Sequence, residues 1–253
     1  MSRLTIILLA VLVLVYFGIC AVLFIFQRSL IYFPQPRLTG SGTTVLTLQS
    51  QTERVLVSAR LQEGPKALIY FGGNSEDVSA NMPSFSTAFP DYTIYLMHYR
   101  GYGGSSGQPS EEGLIADGSA LYDEASSKHP EITIIGRSLG SGIAVHIASV
   151  RPATRLVLVT PYDSLQEIAA KQFPLFPVRW LILDKYESWR YAPAVKAPTL
   201  IIAAENDEVI PRSSSEVLAS RFASGIASFK VLPGTNHNSI SSSPEYLPLL
   251  KGQ

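Results

Sequence analysis

The chain predicts an α/β domain built on a mostly parallel sheet, with helices on both faces, a small helical cap and one membrane-spanning helix ahead of it. Three observations carry this expectation. Residues 4–26 hold no charged side chain and are nearly all Ile, Leu, Val and Phe. Beyond them, β-rich apolar runs recur at residues 67–71, 93–97, 132–135, 156–159, 199–203 and 229–232. Stretches of helical character, such as residues 112–127 and 214–223, lie between most of those runs. Continuous apolar strands joined by crossover helices mean a parallel sheet covered on both faces, and such sheets hold ligands beyond the carboxyl ends of their strands.

Composition narrows the class further. With 253 residues the chain is long enough for one sizeable domain and short of two. Acidic and basic residues balance at 20 each, so no basic surplus argues for nucleic acid. Charged residues make up 16%, against roughly 25% in an average soluble protein, and the deficit sits at the front. A hydrophobic share of 46%, with 17 prolines and 18 glycines spread along the chain, reads as globular rather than disordered. Cys20 is the single cysteine, which excludes an internal disulfide, a cysteine-built zinc site and a Cys-x-x-Cys redox centre.

At about 1.5 Å per residue, residues 4–26 extend roughly 35 Å as a helix, enough to cross about 30 Å of hydrocarbon. A cleaved signal peptide would carry an apolar region of about 7 to 15 residues and a small-x-small site. This run is longer, and no such site precedes Gln27. Ile19 before Cys20 also makes a poor lipoprotein cleavage site. The expectation is an uncleaved anchor at 4–26, with Cys20 a small apolar residue within it, and a linker at 27–42 containing the joint Phe33-Pro34-Gln35-Pro36. Arg3 on one side and Arg28 and Arg37 on the other nearly tie the positive-inside count; the reading leans to a cytoplasmic N-tail and a non-cytoplasmic body. Tyr32 and Phe33 belong either to an interfacial belt or to packing against the domain. That domain, 43–253, opens with alternating runs at 43–48 and 54–61, an antiparallel edge.

The pattern Gly-x-Ser-x-Gly occurs twice, at Gly136-Arg137-Ser138-Leu139-Gly140 and at Gly103-Gly104-Ser105-Ser106-Gly107. The chemistry requires a tight strand-to-helix turn that exposes the serine, with glycines where side chains would clash. Ser138 directly follows an apolar strand and opens a small-residue helical run at 141–150, whose start places a positive dipole end under a developing oxyanion. Ser105 lies in a Gly/Ser loop before Gln108-Pro109, where glycines serve turns. Ser138 is therefore the candidate nucleophile, and serine there points to acyl transfer.

Four histidines compete for the base. His98 and His129 precede Ser138 and break the Ser, acid, His order of this arrangement. His146 is eight residues down the nucleophile's own helix, about 12 Å away, and cannot hold a hydrogen bond to the hydroxyl. His237 remains, in the turn-rich loop after the last strand. Of the aspartates between them, Asp184 reads as a solvated face or helix end. Asp163 follows a strand but leads into a helix start with a Ser164–Glu167 capping box. Asp207, in the loop after residues 199–204, is the first choice, with Asp163 or a neighbouring glutamate as alternatives; the acid would fix the histidine tautomer. For the oxyanion hole, backbone N–H groups of Leu139 and Gly73 are the candidates, with Asn74 next, because Phe71-Gly72-Gly73-Asn74-Ser75 ends an earlier strand.

Phe71-Gly72-Gly73-Asn74, Tyr99-Arg100-Gly101-Tyr102-Gly103-Gly104-Ser105, Gly136-Arg137-Ser138-Leu139-Gly140, the 207–211 loop and the 234–237 loop occur in the order of the α/β-hydrolase superfamily. Phe176-Pro177-Val178-Arg179-Trp180-Leu181 is similar to a cap segment of its membrane-anchored serine-hydrolase branch, which includes lysophospholipase-like and thioesterase-like members. The resemblance runs from about residue 43 to the C-terminus. It implies an eight-stranded sheet with Ser138, Asp207 and His237 as a triad. The chain departs from the family in having Phe71 where histidine is common and His98 where aspartate is common.

The connection at 161–197, about 40 residues long, is too long for a loop and too short for a lid domain. Its aromatic and aliphatic side chains either bury one another in a small helical cap or line an apolar wall that receives an acyl chain. The expected activity is hydrolysis of a carboxylic ester or thioester with an apolar acyl part, through an acyl-enzyme on Ser138. The expected partners are a small or lipid-like ester and the membrane; the chemistry calls for no metal and no cofactor. A peptidase of the same fold, or an inactive hydrolase scaffold that binds a ligand, are the competing readings.

Overall fold

The apolar N-terminal run forms one long helix, α1 (Arg3–Ile31), in a computed structural model that describes residues 2–38 and 43–252. The helix is long and apolar enough to cross a membrane, and Cys20 is the one buried residue along it. It runs past residue 26 and takes up the first part of the expected linker, because the polar residues that follow find partners instead of ending it. Gln27 donates to the Leu181 carbonyl at 3.3 Å and accepts from the Leu183 N–H at 2.7 Å. Arg28 is paired with Asp184 at 3.0 Å. The helix stops at Tyr32, just before Phe33-Pro34, where the residue ahead of proline disfavours helical backbone. The rest of the expected linker passes through residues 39–42, which lie outside the described residues.

β1 (Thr44–Ser50) and β2 (Glu53–Arg60) pair antiparallel, and β2 pairs antiparallel with β4 (Thr93–Met97). β3 (Lys66–Phe71), β4, β5 (Glu131–Arg137), β6 (Arg155–Val159), β7 (Thr199–Ala204) and β8 (Ala227–Leu232) are mutually parallel. The sheet has eight strands in the order β1-β2-β4-β3-β5-β6-β7-β8, as expected from the apolar runs and the edge hairpin. Along β3, Ala67, Ile69 and Phe71 pack into one core layer while Leu68 and Tyr70 pack into the other, all fully buried. Both faces are therefore covered, which is why the strand reads as a continuous apolar run. α3 (Glu111–Ser126) and α4 (Leu139–Val150) cover the first layer; α2 (Met82–Ala88) and α9 (Tyr246–Lys251) cover the second.

Between β6 and β7 lie three short helices, α5 (Leu165–Gln172), α6 (Val178–Leu181) and α7 (Ser188–Tyr191), the small cap. Half of the expected capping box forms: the Ser164 hydroxyl accepts the Glu167 N–H at 3.4 Å, while the Glu167 carboxylate turns to Arg179 instead of the Ser164 N–H. Asp184 corrects the sequence reading. It is 3% exposed, not solvated, and accepts hydrogen bonds from Arg28, Tyr32 and the Glu111 N–H, so it ties α1 to both cap and α3. α8 (Arg212–Ala219) is shorter than the sequence suggests and ends ahead of a turn.

His98 sits at the end of β4, 2% exposed, with Nε2 2.8 Å from the Ser58 hydroxyl. Burial pushes its pKa down to about 4. In an unfolded chain histidine titrates near 6.5, so between these values the unfolded state binds a proton that the folded state refuses. The stabilisation is complete above pH 6.5 and is lost as pH falls towards 4. Lowering pH from 7 to 5 should cost about 2 kcal/mol through this residue. Thermal unfolding of the full chain in detergent, with a His98→Gln variant whose melting temperature is less sensitive to pH, checks it; equal slopes would assign the acid sensitivity elsewhere.

Candidate active site

The turn between β5 and α4 is forced by its packing. Ser138 has φ 49° and ψ −118°, a conformation L-residues avoid at a cost of about 1–3 kcal/mol. Backbone bonds hold it there: the Ser138 N–H donates to Val159 at 2.9 Å, and the Gly140 N–H donates to the Gly72 carbonyl at 3.1 Å. A Cβ on Gly136 would stand 2.6 Å from the Ala144 Cβ, and one on Gly140 would stand 2.1 Å from the Phe71 carbonyl oxygen. Both glycines of this motif are thus demanded by close approach of β3, β5 and α4. The glycines around Ser105 serve a different end, for Gly101, Gly103, Gly104 and Gly107 all have positive φ in a loop. Ser105 itself donates to the His98 carbonyl at 2.8 Å and accepts from the Leu56 N–H at 2.9 Å.

Because Ser138 opens α4 without capping it, its hydroxyl is free for another partner. That partner is His237, whose Nε2 lies 3.0 Å from Oγ. His237 Nδ1 is 2.8 Å from Asp207 Oδ2 and 3.0 Å from Oδ1. Asp207 is oriented in turn by the Val209 and Ile210 N–H groups, which donate to Oδ1 at 3.0 and 2.7 Å. The loop of His237 is held by Asn236, whose Oδ1 accepts the N–H groups of Asn238 and Ser239. The serine, histidine and acid singled out from the sequence therefore come together beyond the carboxyl ends of β5, β7 and β8. Ser138 and His237 are 9% and 7% exposed, and the Asp207 side chain 2%.

The other aspartate and histidine candidates make no hydrogen bond to Ser138 or His237. Asp163 accepts the Ser214 hydroxyl at 2.5 Å and faces the cavity. His129 bonds the Gly64 carbonyl at 2.9 Å, and His146 packs edge-on against Tyr191.

The β3 turn differs from expectation at one donor. The Leu139 N–H makes no hydrogen bond among the described residues. The Gly73 N–H, in contrast, donates to Glu76 Oε2 at 2.7 Å, although Gly73 does lie over the site, where a Cβ would be 3.8 Å from that of Ser138. Glu76 was not singled out from the sequence, yet it organises this loop. It also accepts from Tyr70 at 2.7 Å and Asn81 at 2.6 Å, and pairs with Arg137 at 3.3 Å. Arg137, the residue before Ser138, donates as well to the His237 carbonyl at 3.3 Å. The only trace of Glu76 in the sequence is a carboxylate three residues after a glycine turn, a weak signal. Burial pushes the phenols of Tyr70, Tyr99 and Tyr162 well above their usual range, so they stay protonated and donate to Glu76 and to the Gly72 and Leu139 carbonyls.

A cavity of about 600 Å³ opens above Ser138 and Leu139, within the usual range for ligand sites. Its walls come from the cap, the loop after β7 and α1.

Comparison with known proteins bears on the fold. A family model described as the alpha/beta hydrolase fold matches residues 71–185. An uncharacterized protein of Mycobacterium tuberculosis (strain ATCC 25618 / H37Rv) is 33% identical over 249 residues, covering 90% of this chain and 86% of the relative. The lysophosphatidylserine lipase ABHD12 of Macaca fascicularis is 30% identical over 191 residues, covering 63% of this chain and 48% of that protein. Among solved structures, the Pyrococcus furiosus esterase Pf2001 superposes with a TM-score of 0.70 at 15% identity, covering 87% of this chain and 97% of the esterase. The chain belongs to the same family as that mycobacterial protein and has the alpha/beta hydrolase fold.

Proposed function

We propose that this chain is a membrane-anchored serine hydrolase that cleaves a carboxylic ester or thioester with an apolar acyl part. Ser138 attacks the carbonyl while His237 Nε2 takes the hydroxyl proton and passes it to the leaving group. Asp207 holds the imidazole in the tautomer that accepts at Nε2 and stabilises the imidazolium. The Leu139 N–H and a second N–H from the turn at residues 73–74 stabilise the oxyanion. If Gly73 is that second donor, it must exchange Glu76 for the substrate oxygen. Expulsion of the alcohol or thiol leaves an acyl-enzyme on Ser138. Water then attacks with His237 as base, and the carboxylic acid departs as Ser138 regains its proton.

The observation that carries this reading is the unbroken chain of hydrogen bonds Asp207–His237–Ser138, with the serine held at φ 49°. The cavity above it supports an apolar acyl part, as does a relative whose name makes it a lipase of a lysophospholipid. An apolar helix that is almost wholly unburied supports the anchor, since its side chains need an apolar surrounding that the domain does not provide. The flanking arginines nearly tie and do not set the side; a non-cytoplasmic domain is proposed, which protease protection in sealed vesicles would test.

Labelling of the purified full chain by a fluorophosphonate, mapped to its peptide and followed by an ester and thioester series of rising chain length, tests the chemistry. Labelling confined to Ser138, with turnover improving as the acyl chain lengthens, is expected. A folded chain that resists the probe and hydrolyses nothing would overturn the acyl-enzyme reading in favour of a binding scaffold, and turnover of short peptide amides alone would favour a peptidase.

A further inference from the structure

We infer that α1 is part of the active site as well as an anchor: its face from Cys20 to Ile31 is the wall against which the substrate's acyl chain lies. This rests on Ser138 being the acylated residue.

Cys20, Leu23, Phe24, Gln27 and Ile31 line the cavity that contains Ser138 and Leu139. Cys20, the pair Leu23 and Phe24, Gln27 and Ile31 recur every three or four residues, which puts them on one stripe of the helix. From Ile31 back to Cys20 the stripe extends about 17 Å at 1.5 Å per residue, so the cavity runs outward from the serine along the helix axis. Across from it stand cap residues, among them Phe173, Phe176 and Ile182.

The wall is held in register by polar contacts at three levels. Next to the oxyanion loop, the Ile31 carbonyl accepts from Asn74 Nδ2 at 2.9 Å, while Tyr32 donates to Asp184 and shares a hydrogen bond of 2.9 Å with Tyr186. Half-way along, Gln27 is bonded at both ends of its amide to the backbone of residues 181 and 183. Farther out, the Tyr16 ring stacks parallel on Phe176 with centroids 6.0 Å apart, and its hydroxyl donates to the Leu175 carbonyl at 3.0 Å. An anchor that only tethered the domain would need none of these.

Beyond the clamped face the helix is open. Leu12, Leu14 and Phe17 are 64%, 71% and 64% exposed, and the adjoining cap residues Leu175 and Trp180 are 79% and 88% exposed. The outer end of the cavity is therefore rimmed by apolar surface continuous with the membrane-spanning helix. That geometry suits a long-chain acyl ester whose tail stays in apolar surroundings as it passes from the bilayer to Ser138, with its ester carbonyl at the bottom of the cavity. A short, water-soluble ester would leave the α1 stripe unused.

The test uses the full chain in phosphatidylcholine nanodiscs and an alkyl fluorophosphonate of about twelve carbons bearing a diazirine near the chain end. After reaction at Ser138 and illumination, mass spectrometry should place the cross-link on α1 between residues 20 and 27. Cross-links confined to the cap, the strand ends or lipid, on protein labelled at Ser138, would overturn the inference while leaving the nucleophile in place. Failure to label Ser138 at all would remove the hydrolase reading beneath it, a different and recognisable result. As a second measurement, Cys20→Trp and Leu23→Trp should each lower the ratio of dodecanoyl to acetyl ester kcat/KM at least tenfold, whereas Ile25→Trp, on the helix face away from the cavity and 69% exposed, should not change it. An unchanged ratio in both cavity-facing variants would again sink the proposal.

Discussion

Ser138→Ala is expected to lose ester turnover by a factor on the order of 10⁴ to 10⁶ and to abolish fluorophosphonate labelling, with the thermal transition hardly moved. The hydroxyl makes one hydrogen bond, to His237, and caps nothing, so its removal takes away the nucleophile without unpicking the turn. What activity remains would come from the N–H donors and from binding alone. His237→Ala should fall to the same level, because a serine without its base is not activated, and the double variant should be no worse than either single one. Asp207→Asn should keep the fold and lose about 10⁴-fold in turnover, since an amide in place of the carboxylate favours the wrong imidazole tautomer. Additive losses across these three positions would mean that they do not work as a unit.

Gly140→Ala should be the most damaging small change away from the reacting atoms. Its new methyl would sit 2.1 Å from the Phe71 carbonyl oxygen, 2.4 Å from the carbonyl carbon and 2.7 Å from the Gly72 oxygen. All three are backbone atoms at the end of β3, so no rotamer change relieves the clash. Either α4 lifts from the sheet, or the 71–74 turn retreats and breaks the bond from the Gly140 N–H to Gly72. The cost should be about 3 kcal/mol, at the upper end of overpacking effects. Labelling of Ser138 should drop with it, because the Leu139 N–H and the oxyanion turn move apart. Gly18→Ala is the matched control: nothing lies within 4 Å of its added carbon, and an alanine there should leave melting temperature and labelling unaffected. Comparable losses in the two variants would show that the close approach of β3 and α4 does not govern the site.

Much of this architecture could be read locally. Apolar runs bounded by turns gave all six parallel strands, and the alternating pair before them gave the antiparallel edge, because a strand buried on both faces or on one leaves its mark in neighbouring residues. The choice between Ser138 and Ser105 was also local: only one serine lies between a strand and a helix, and the structure demands glycines around it for want of space. Order along the chain eliminated His98 and His129, helix geometry eliminated His146, and the loops after β7 and β8 offered Asp207 and His237.

Other features had no such local mark. Asp184 read as solvated because its partners, Arg28 and Tyr32, are 156 and 152 residues away in sequence. Gly73 read as a free donor because a glycine turn does not reveal which carboxylate folds back on it. The placement of α1 is the largest case. Its composition states that it prefers an apolar surrounding, and this much the sequence determined by itself, along with the sheet, the strand-to-helix turn at Ser138 and the order of the candidate triad. That one stripe of the helix is held over Ser138 and faces the cap was decided only by the tertiary structure. Hydropathy sums over a whole segment and is blind to which face is occupied, whereas the packing of α1 depends on a few polar bonds and one aromatic stack reaching across more than half the chain.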